Sequence, residues 1–268
     1  MVGTRRTPPG PMVDPTRRVV LLGASNVTLG LSAVVETACR VWGRPLDIMA
    51  AIGLGRSYGA RTSVLGRGLP GIAFCGIWEA LANRAALPTA ALLTDVGNDI
   101  LYGSDVDVIL RWVATCGERL AAVADPLVIT GLPLASGGEI SRWKYGLFRS
   151  VLFPSSRLDL GTAMSRARDL DARLVELAGR WGALLVRPER SWYGWDPIHI
   201  ARRHRVEAWS RFFGGGLEEH VRMRAASSLR RWLALRCARP LQWTRFGMER
   251  HRRQPSVRLS DGSRLSFF

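Results

Sequence analysis

The sequence predicts an α/β protein in which a parallel sheet is covered by helices on both faces. Short apolar runs alternate along the chain with longer segments of helical periodicity. The short runs are apolar throughout and do not alternate with polar residues, which is typical of strands buried on both faces. A regular alternation of strands and helices is typical of a doubly wound sheet with right-handed crossovers.

Five apolar runs supply the predicted strands. Gly, Pro and other turn residues separate them from the segments between them. The predicted strands are residues 18–23 (RVVLLG), 46–53 (LDIMAAIG), 89–97 (TAALLTDVG), 126–134 (PLVITGLPL) and 183–189 (ALLVRPE). The expected sheet therefore has five parallel strands.

Five segments with apolar residues at helical spacing lie between and after these strands. The predicted helices are residues 27–42, 76–86, 105–124, 158–182 and 199–213. The third of them begins with aspartates, which the helix dipole stabilises at that end. Each of the first four connects two successive predicted strands, as crossovers in a parallel sheet require.

Composition divides the chain into three parts. Residues 1–17 are rich in Pro, Gly and Arg and are predicted to be a disordered arm. Residues 18–216 form the expected α/β domain. Residues 217–268 form a basic extension, with 12 arginines against four acidic residues. In this extension we predict an amphipathic helix and a hairpin around Asp261-Gly262. The helix is expected either to pack on its own domain or to bind an anionic surface such as a membrane.

The connection at residues 135–156 is long for an α/β domain and carries both aromatic and basic residues. It is expected to act as a lid over a binding site, or to pack on the core or on a partner subunit. The sequence leaves these alternatives open, together with the question of a homo-oligomer.

Several classes of protein are disfavoured by composition. The four cysteines form no CxxC pair, which argues against a zinc site or a disulfide framework and favours a reducing, cytoplasmic location. No N-terminal signal peptide and no run of about 18 apolar residues is visible. The net charge of +16 would suit nucleic acid, but no helix-turn-helix, zinc or stacking-sheet motif accompanies it. A non-catalytic protein that binds an anionic partner remains a rival hypothesis.

Polar residues and glycines follow the predicted strands, at the edge of the sheet where ligands of such folds bind. Ser25 follows the first strand, Gly55 the second, Asn98 the third, and Asp196 with His199 the fifth. Individually, these residue types are also common as helix caps and turn formers. Together they match the requirements of nucleophilic catalysis, because an Asp can orient a His that takes a proton from a serine hydroxyl.

Ser25 is the preferred nucleophile because it is predicted to start the first helix, where backbone N–H groups can stabilise an oxyanion. Ser57, in the glycine-rich loop after the second strand, is a less favoured alternative. Trp192, Tyr193 and Trp195 come directly before the Asp–His pair. They are expected either to form a rim that contacts substrate or to pack the loop onto the domain.

Four short stretches, GASN, IGLGRSYG, VGND and DPIH, resemble the conserved blocks of the SGNH (GDSL-like) hydrolase family, over about residues 18–213. The resemblance implies a three-layer α/β/α, flavodoxin-like fold. It also implies serine-dependent hydrolysis of a small acyl ester, O-acetyl group or thioester without a cofactor or metal. Acyl transfer by the same serine chemistry is the alternative.

The resemblance also implies roles for individual residues. Ser25 matches the nucleophile, and Asp196 and His199 match the acid and base of the catalytic triad. Ser25, Gly55 and Asn98 match the oxyanion hole, with Gly53 as the alternative glycine. One position departs from the family pattern, because the residue before the serine is commonly Asp and is here Ala24. The serine loop is therefore expected to be held differently.

Overall fold

The fold combines a large sheet with a smaller one. The computed structural model describes residues 13–134, 158–214 and 229–268. In these ranges the strands are β1 (Arg17–Leu22), β2 (Leu46–Ala51), β3 (Thr62–Val64), β4 (Arg67–Leu69), β5 (Thr89–Leu93), β6 (Leu127–Thr130), β7 (Leu184–Val186), β8 (Gln242–Arg245), β9 (Met248–His251), β10 (Val257–Arg258) and β11 (Arg264–Phe267). The main sheet has seven strands in the order β10-β11-β2-β1-β5-β6-β7.

The five predicted strands form the parallel centre of this sheet. They correspond to β1, β2, β5, β6 and β7, and β1 lies in the middle with β2 on one side and β5 on the other. All of these pairings are parallel, so the carboxyl ends of the five strands meet at one edge. The fold class predicted from the sequence is confirmed.

Helices cover the sheet on both faces and complete three layers. They are α1 (Ser25–Trp42), α2 (Ile77–Ala82), α3 (Asn98–Leu101), α4 (Val106–Ala121), α5 (Leu160–Trp181), α6 (Arg205–Gly214) and α7 (Leu229–Cys237). Val19 and Leu21 of β1 belong to the apolar core shared with α1 and α6. Val20 and Leu22, which point to the other face, belong to the core shared with α4 and α5.

The packing of α1 against α6 depends on a glycine. A Cβ atom on Gly30 of α1 would lie 2.7 Å from Nε1 of Trp209 in α6. Trp209 is fully buried and packs edge-on against Phe212, with 5.3 Å between the ring centroids. This contact holds α6, and with it the chain that follows β7, against the start of the fold.

The end of the chain contributes to the main sheet. The predicted hairpin around Asp261-Gly262 is present as β10 and β11, and β11 pairs in parallel with β2. The division at residue 216 separated this segment from the α/β domain, whereas the structure includes it in the same sheet. A parallel pairing between residues more than 200 positions apart leaves no signal in local sequence patterns.

A buried aspartate ties these strands together. Asp47 of β2 is fully buried and accepts hydrogen bonds from Arg18 of β1 (3.0 Å), Arg84 (2.7 Å) and Arg264 of β11 (3.2 Å). A buried carboxylate needs partners of opposite charge to offset its lost hydration. Here three arginines from separate elements supply them.

The smaller sheet joins distant parts of the chain. It is antiparallel with the order β3-β4-β8-β9, so the hairpin after the glycine-rich loop pairs with the C-terminal segment. No described helix is long and apolar enough to span a bilayer. In the described ranges, no three acidic, His or Cys side chains are grouped to hold a metal ion, and the four cysteines are unpaired.

Some expectations fall outside the described residues. The connection at 135–156, most of the predicted arm and residues 215–228 of the extension are not described. The described residues of the arm include Arg17, which begins β1.

Candidate active site

Ser25 begins α1 directly after β1 and is half-buried. Within the described residues, its hydroxyl forms no hydrogen bond. The first N–H groups of a helix have no partner within the helix and carry its positive end. The Ser25 hydroxyl is therefore available for proton transfer, beside backbone donors that can stabilise negative charge.

Asp95 holds the loop that carries Ser25. Its Oδ2 accepts hydrogen bonds from the backbone N–H of Ala24 (2.9 Å) and of Asn26 (3.0 Å), and its Oδ1 accepts one from the side chain of Asn26 (2.9 Å). Asp95 follows β5 and has a φ of 60°, a left-handed conformation that Asp tolerates better than most residues. A carboxylate that follows the neighbouring strand thus holds this loop, which has Ala24 where the family that the sequence resembles commonly has Asp.

Asn26 connects the serine loop to the loop that carries His199. Its Nδ2 donates to the carbonyl oxygen of Ile198 at 3.0 Å, and its Oδ1 accepts from the N–H of Ile200 at 2.8 Å. The two bonded residues flank His199 on either side. A single amide side chain, next to Ser25 in the chain, therefore fixes the backbone around the imidazole.

Asp196 orients the His199 ring. Its Oδ2 lies 2.6 Å from His199 Nδ1, and its Oδ1 accepts from the N–H groups of Ile198 (3.0 Å) and His199 (3.2 Å). Partial burial raises the pKa of Asp196, but the hydrogen bond and charge of His199 outweigh it and hold that pKa below 3.8. The ionised carboxylate favours a proton on Nδ1, which leaves Nε2 as the basic nitrogen.

The aromatic residues before Asp196 have different positions. Trp192 is fully buried and packs edge-on against Phe212, with 5.4 Å between the ring centroids, so of the two alternatives it packs the loop onto the domain and does not form a rim. Tyr193 is half-buried, pairs with Ile200 in an isolated bridge and lines the cavity described below. Trp195 is 57% exposed. The Trp192 anchor and the bridge close the base of the loop that carries the Asp–His pair.

Tyr193 also lies near two carboxylates. Burial raises its pKa above the ordinary value of 10.0, and the charges of Asp95 and Asp196 raise it further. Its hydroxyl is therefore neutral throughout the physiological pH range.

Asn98 and Gly55 are connected through the glycine-rich loop. Asn98 begins α3, and its Nδ2 donates a long hydrogen bond of 3.4 Å to the carbonyl oxygen of Arg56. Gly55 has a φ of 58°, and its carbonyl oxygen accepts a hydrogen bond of 2.6 Å from the Tyr102 hydroxyl. A Cβ atom there would lie only 2.8 Å from that hydroxyl, so the position requires glycine. Gly53 is buried beneath Leu69.

Ser57 has a structural position. Its hydroxyl donates to Asp99 and accepts from the N–H groups of Gly59 (3.0 Å) and Ala60 (2.7 Å), and it is fully buried. Asp99 also accepts from the N–H of Tyr58 at 2.9 Å. The Ser57 hydroxyl is thus fully engaged in holding the turn. Burial raises the pKa of Asp99 from 3.8 to about 6, although these hydrogen bonds lower it.

An apolar cavity of about 170 Å³ lies beside Ser25 and Asn98. It extends between the carboxyl ends of β5 and β6 and the first turns of α5. Its walls are mostly aliphatic and include Val96, Ile100, Leu101, Leu132, Leu134, Leu160, Ala163, Met164 and Ala167. A cavity of this lining favours an apolar group next to the serine.

Two residues of this site, Asn26 and Asp95, were missed in the sequence analysis. Asn26 lies within the block GASN, and Asp95 lies immediately before the block VGND. Their types are common in turns, and nothing in their spacing indicates that they contact each other. Only the pairing of β1 with β5 brings them together.

Comparisons with known proteins find similarity of fold alone. No protein-family model and no curated protein matches the sequence. Among solved structures, Est24, a carbohydrate acetylesterase from Sinorhizobium meliloti, has a TM-score of 0.50 and 12% identity, covering 74% of this chain and 97% of that one.

Two further solved structures have slightly lower TM-scores. The inhibitor-bound aryl esterase of M. smegmatis has a TM-score of 0.49 and 12% identity, with 74% and 97% of the two chains covered. A member of the lipolytic protein G-D-S-L family from Veillonella parvula has a TM-score of 0.48 and 12% identity, with 77% and 100% covered. The α/β fold that the predicted resemblance implies is thus shared with Est24.

The Ser57–Asp99 contact predicts a pH-dependent change in stability. Ser57→Ala removes a hydrogen bond to the carboxylate and should raise the pKa of Asp99 above about 6. A carboxyl group whose pKa is higher in the folded state than in the unfolded state binds more protons when the protein is folded. The stability of the folded state therefore falls as the pH rises towards that raised pKa. The destabilisation of Ser57→Ala, measured by urea unfolding, should therefore increase through pH 6. A penalty that is constant from pH 5 to about 8 would contradict the prediction.

Proposed function

We propose that this chain is a serine-dependent hydrolase of carboxylic esters, with Ser25 as nucleophile, His199 as general base and Asp196 as its orienting acid. The proposal is supported above all by Asn26, which follows Ser25 in the chain. Its side-chain amide is hydrogen-bonded to the backbone on both sides of His199, at Ile198 and Ile200. That contact ties the two reactive loops to each other at the carboxyl edge of the sheet.

Proton transfer follows from the state of the imidazole. His199 Nδ1 carries its proton towards Asp196, so that Nε2 can accept the proton of the Ser25 hydroxyl. The serine oxygen then attacks the acyl carbonyl carbon and forms a tetrahedral intermediate. Its collapse expels the alcohol, which takes the proton from Nε2. Water, deprotonated in turn by His199, hydrolyses the acyl-enzyme and regenerates Ser25.

The negative charge of the intermediate needs donors that are already oriented. We assign the backbone N–H groups of Ser25 and Gly55 and the side-chain amide of Asn98 to this role. Asn98 lines the same cavity as Ser25, and its hydrogen bond to Arg56 is long enough to be exchanged for a stronger one to an oxyanion.

The cavity indicates which part of the substrate lies there. Its walls are mostly aliphatic, and both Ser25 and Asn98 line it. We therefore assign the cavity to the acyl chain of the ester. We place the alcohol part near Trp195, which is exposed. The favoured substrates are esters with a short to medium aliphatic acyl group. Acyl transfer would pass through the same acyl-enzyme, and adding an acceptor alcohol to the assay distinguishes it.

Ser25→Ala should abolish hydrolysis of a 4-nitrophenyl ester, lowering kcat/KM by on the order of 10⁴-fold or more. Asn98→Ala removes one oxyanion donor and should lower kcat by about 10²–10³-fold. Ester hydrolysis and labelling by a fluorophosphonate probe, located by mass spectrometry, measure both effects. Ser57→Ala, assayed at a pH and temperature at which it is folded, is the matched control and should still be labelled at Ser25 and hydrolyse the ester. Full activity in Ser25→Ala, or a label on Ser57, would refute the proposed nucleophile.

Cavity filling tests the assignment of the acyl chain. Wild-type kcat/KM should rise roughly fourfold for each acyl methylene that becomes buried, until the cavity is full. Ala167→Phe introduces a ring into the cavity, so it should remove this preference while hydrolysis of the acetyl ester persists. Ala172 lies on the same helix but is exposed, which makes Ala172→Phe the control.

A series of acetyl, butyryl, hexanoyl and octanoyl esters measures this preference. If Ala167→Phe and Ala172→Phe show the same dependence on acyl length as the wild type, the cavity does not hold the acyl chain.

A further inference from the structure

We propose that the turn end of the smaller sheet binds the surface of an anionic phospholipid bilayer. The turn end comprises the two adjacent turns Leu65-Gly66 and Phe246-Gly247 with the strand residues Arg67, Arg245 and Met248 that flank them. This inference is independent of ester hydrolysis, because it rests on a different surface.

Both turns have apolar residues where the backbone disfavours them. Leu65 and Phe246 have φ values of 52° and 48°, and each precedes a glycine of positive φ, which makes two-residue turns of type I′. Such turns strongly favour Asn or Asp at the first position, and a bulky apolar residue there is an outlier. Burial stabilises the two side chains little in return, because Leu65 is 91% and Phe246 73% exposed.

The two turns form one projecting apolar surface. The N–H of Phe246 donates to the carbonyl oxygen of Gly66 at 2.8 Å, and the Phe246 ring lies over Gly66, where a Cβ would be 2.5 Å from the ring. Met248, which follows the second turn, is 55% exposed. Leu65, Phe246 and Met248 are thus presented together to solvent, which is unusual unless a partner covers them.

Arginines lie directly behind this apolar surface. Arg67 of β4 is the cross-strand partner of Arg245 in β8, and Arg245 is the partner of Met248 in β9, so the three side chains share a face. Both residues therefore add positive charge to the face that carries Met248, and this charge favours an anionic partner.

Arg67 and Arg245 belong to a larger group of exposed arginines in and around this sheet. Exposed side chains without an ion pair to any described residue are Arg61, Arg67, Arg245, Arg250, Arg252 and Arg253. Glu249 is the single acidic residue in the strands and turns of this sheet. The sheet therefore offers a basic surface with an apolar tip.

A bilayer with anionic headgroups complements both features. Guanidinium groups bind phosphate in a bidentate manner, and each basic residue near an anionic leaflet strengthens binding. Apolar side chains that project beyond the arginines can enter the boundary between headgroups and acyl chains. Val64, at the same end of β3, contacts the position of Gly55, so the candidate active site lies beside this surface.

Sedimentation of the full chain with vesicles tests the proposal. One vesicle is phosphatidylcholine, and the other contains about 30% phosphatidylglycerol. The wild type should bind the anionic vesicle at least about tenfold more tightly than the neutral one, and added salt should weaken this binding. The measurement needs no enzymatic activity.

The informative variant is Leu65→Asn with Phe246→Asn. Asn-Gly is the favoured type I′ sequence, so the double variant should fold with an unchanged or higher Tm. Its affinity for anionic vesicles should fall at least about tenfold, since it lacks the inserting side chains. Val123→Asn with Val175→Asn removes two exposed apolar side chains elsewhere and should bind as the wild type does.

Four outcomes would overturn the proposal. They are a wild type that binds neither vesicle, and a folded double Asn variant that binds as tightly as the wild type. In the third outcome, the wild type does not bind vesicles but forms a concentration-dependent dimer that the double Asn substitution abolishes. In the fourth, it binds duplex DNA instead of vesicles, and the double Asn substitution abolishes that binding. The last two would assign the turn end to a second copy of the chain or to nucleic acid.

Discussion

The candidate site depends on the hydrogen bonds between Asp95 and Asn26 and from Asn26 to the residues around His199. Asp95 binds two backbone amides of the serine loop and the side chain of Asn26. The remaining groups of that amide then bind Ile198 and Ile200. Three strands of the sheet, β1, β5 and β7, are linked in this way at their carboxyl ends. The sheet alone would bring these loops near each other, but it would not set their register.

The parts of the fold that depend on local patterns could be predicted from the sequence. The five apolar runs became the parallel centre of the sheet because burial on both faces leaves the same signal in each strand. The place of β11 could not be predicted, because it depends on a distant partner, β2. The position of Trp192 could not be predicted for a similar reason. An aromatic residue before an Asp–His pair suits either a rim or a core, and only the position of Phe212 decides between them.

In the candidate site, too, the features that follow from local sequence could be predicted, and those that depend on distant contacts could not. Block positions select Ser25, Asn98 and the Asp196–His199 pair as candidates, because their types carry recognisable chemistry. How the serine loop is held could not be predicted, because Ala24 stands where the resembled family commonly has Asp. The carboxylate that holds the loop comes from Asp95, some 70 residues away. Ser57, by contrast, is an alternative nucleophile by sequence, but its hydroxyl is hydrogen-bonded to Asp99 and holds a buried turn.

A crystal structure of the chain after reaction with a fluorophosphonate tests the central claim most directly. Phosphorus should be bonded to Ser25 Oγ, with His199 Nε2 within about 3 Å of that oxygen. Asn26 should still be hydrogen-bonded to both Ile198 and Ile200. A phosphonate on another serine, or a His199 ring turned away from Ser25 with the Asn26 bonds intact, would contradict the account.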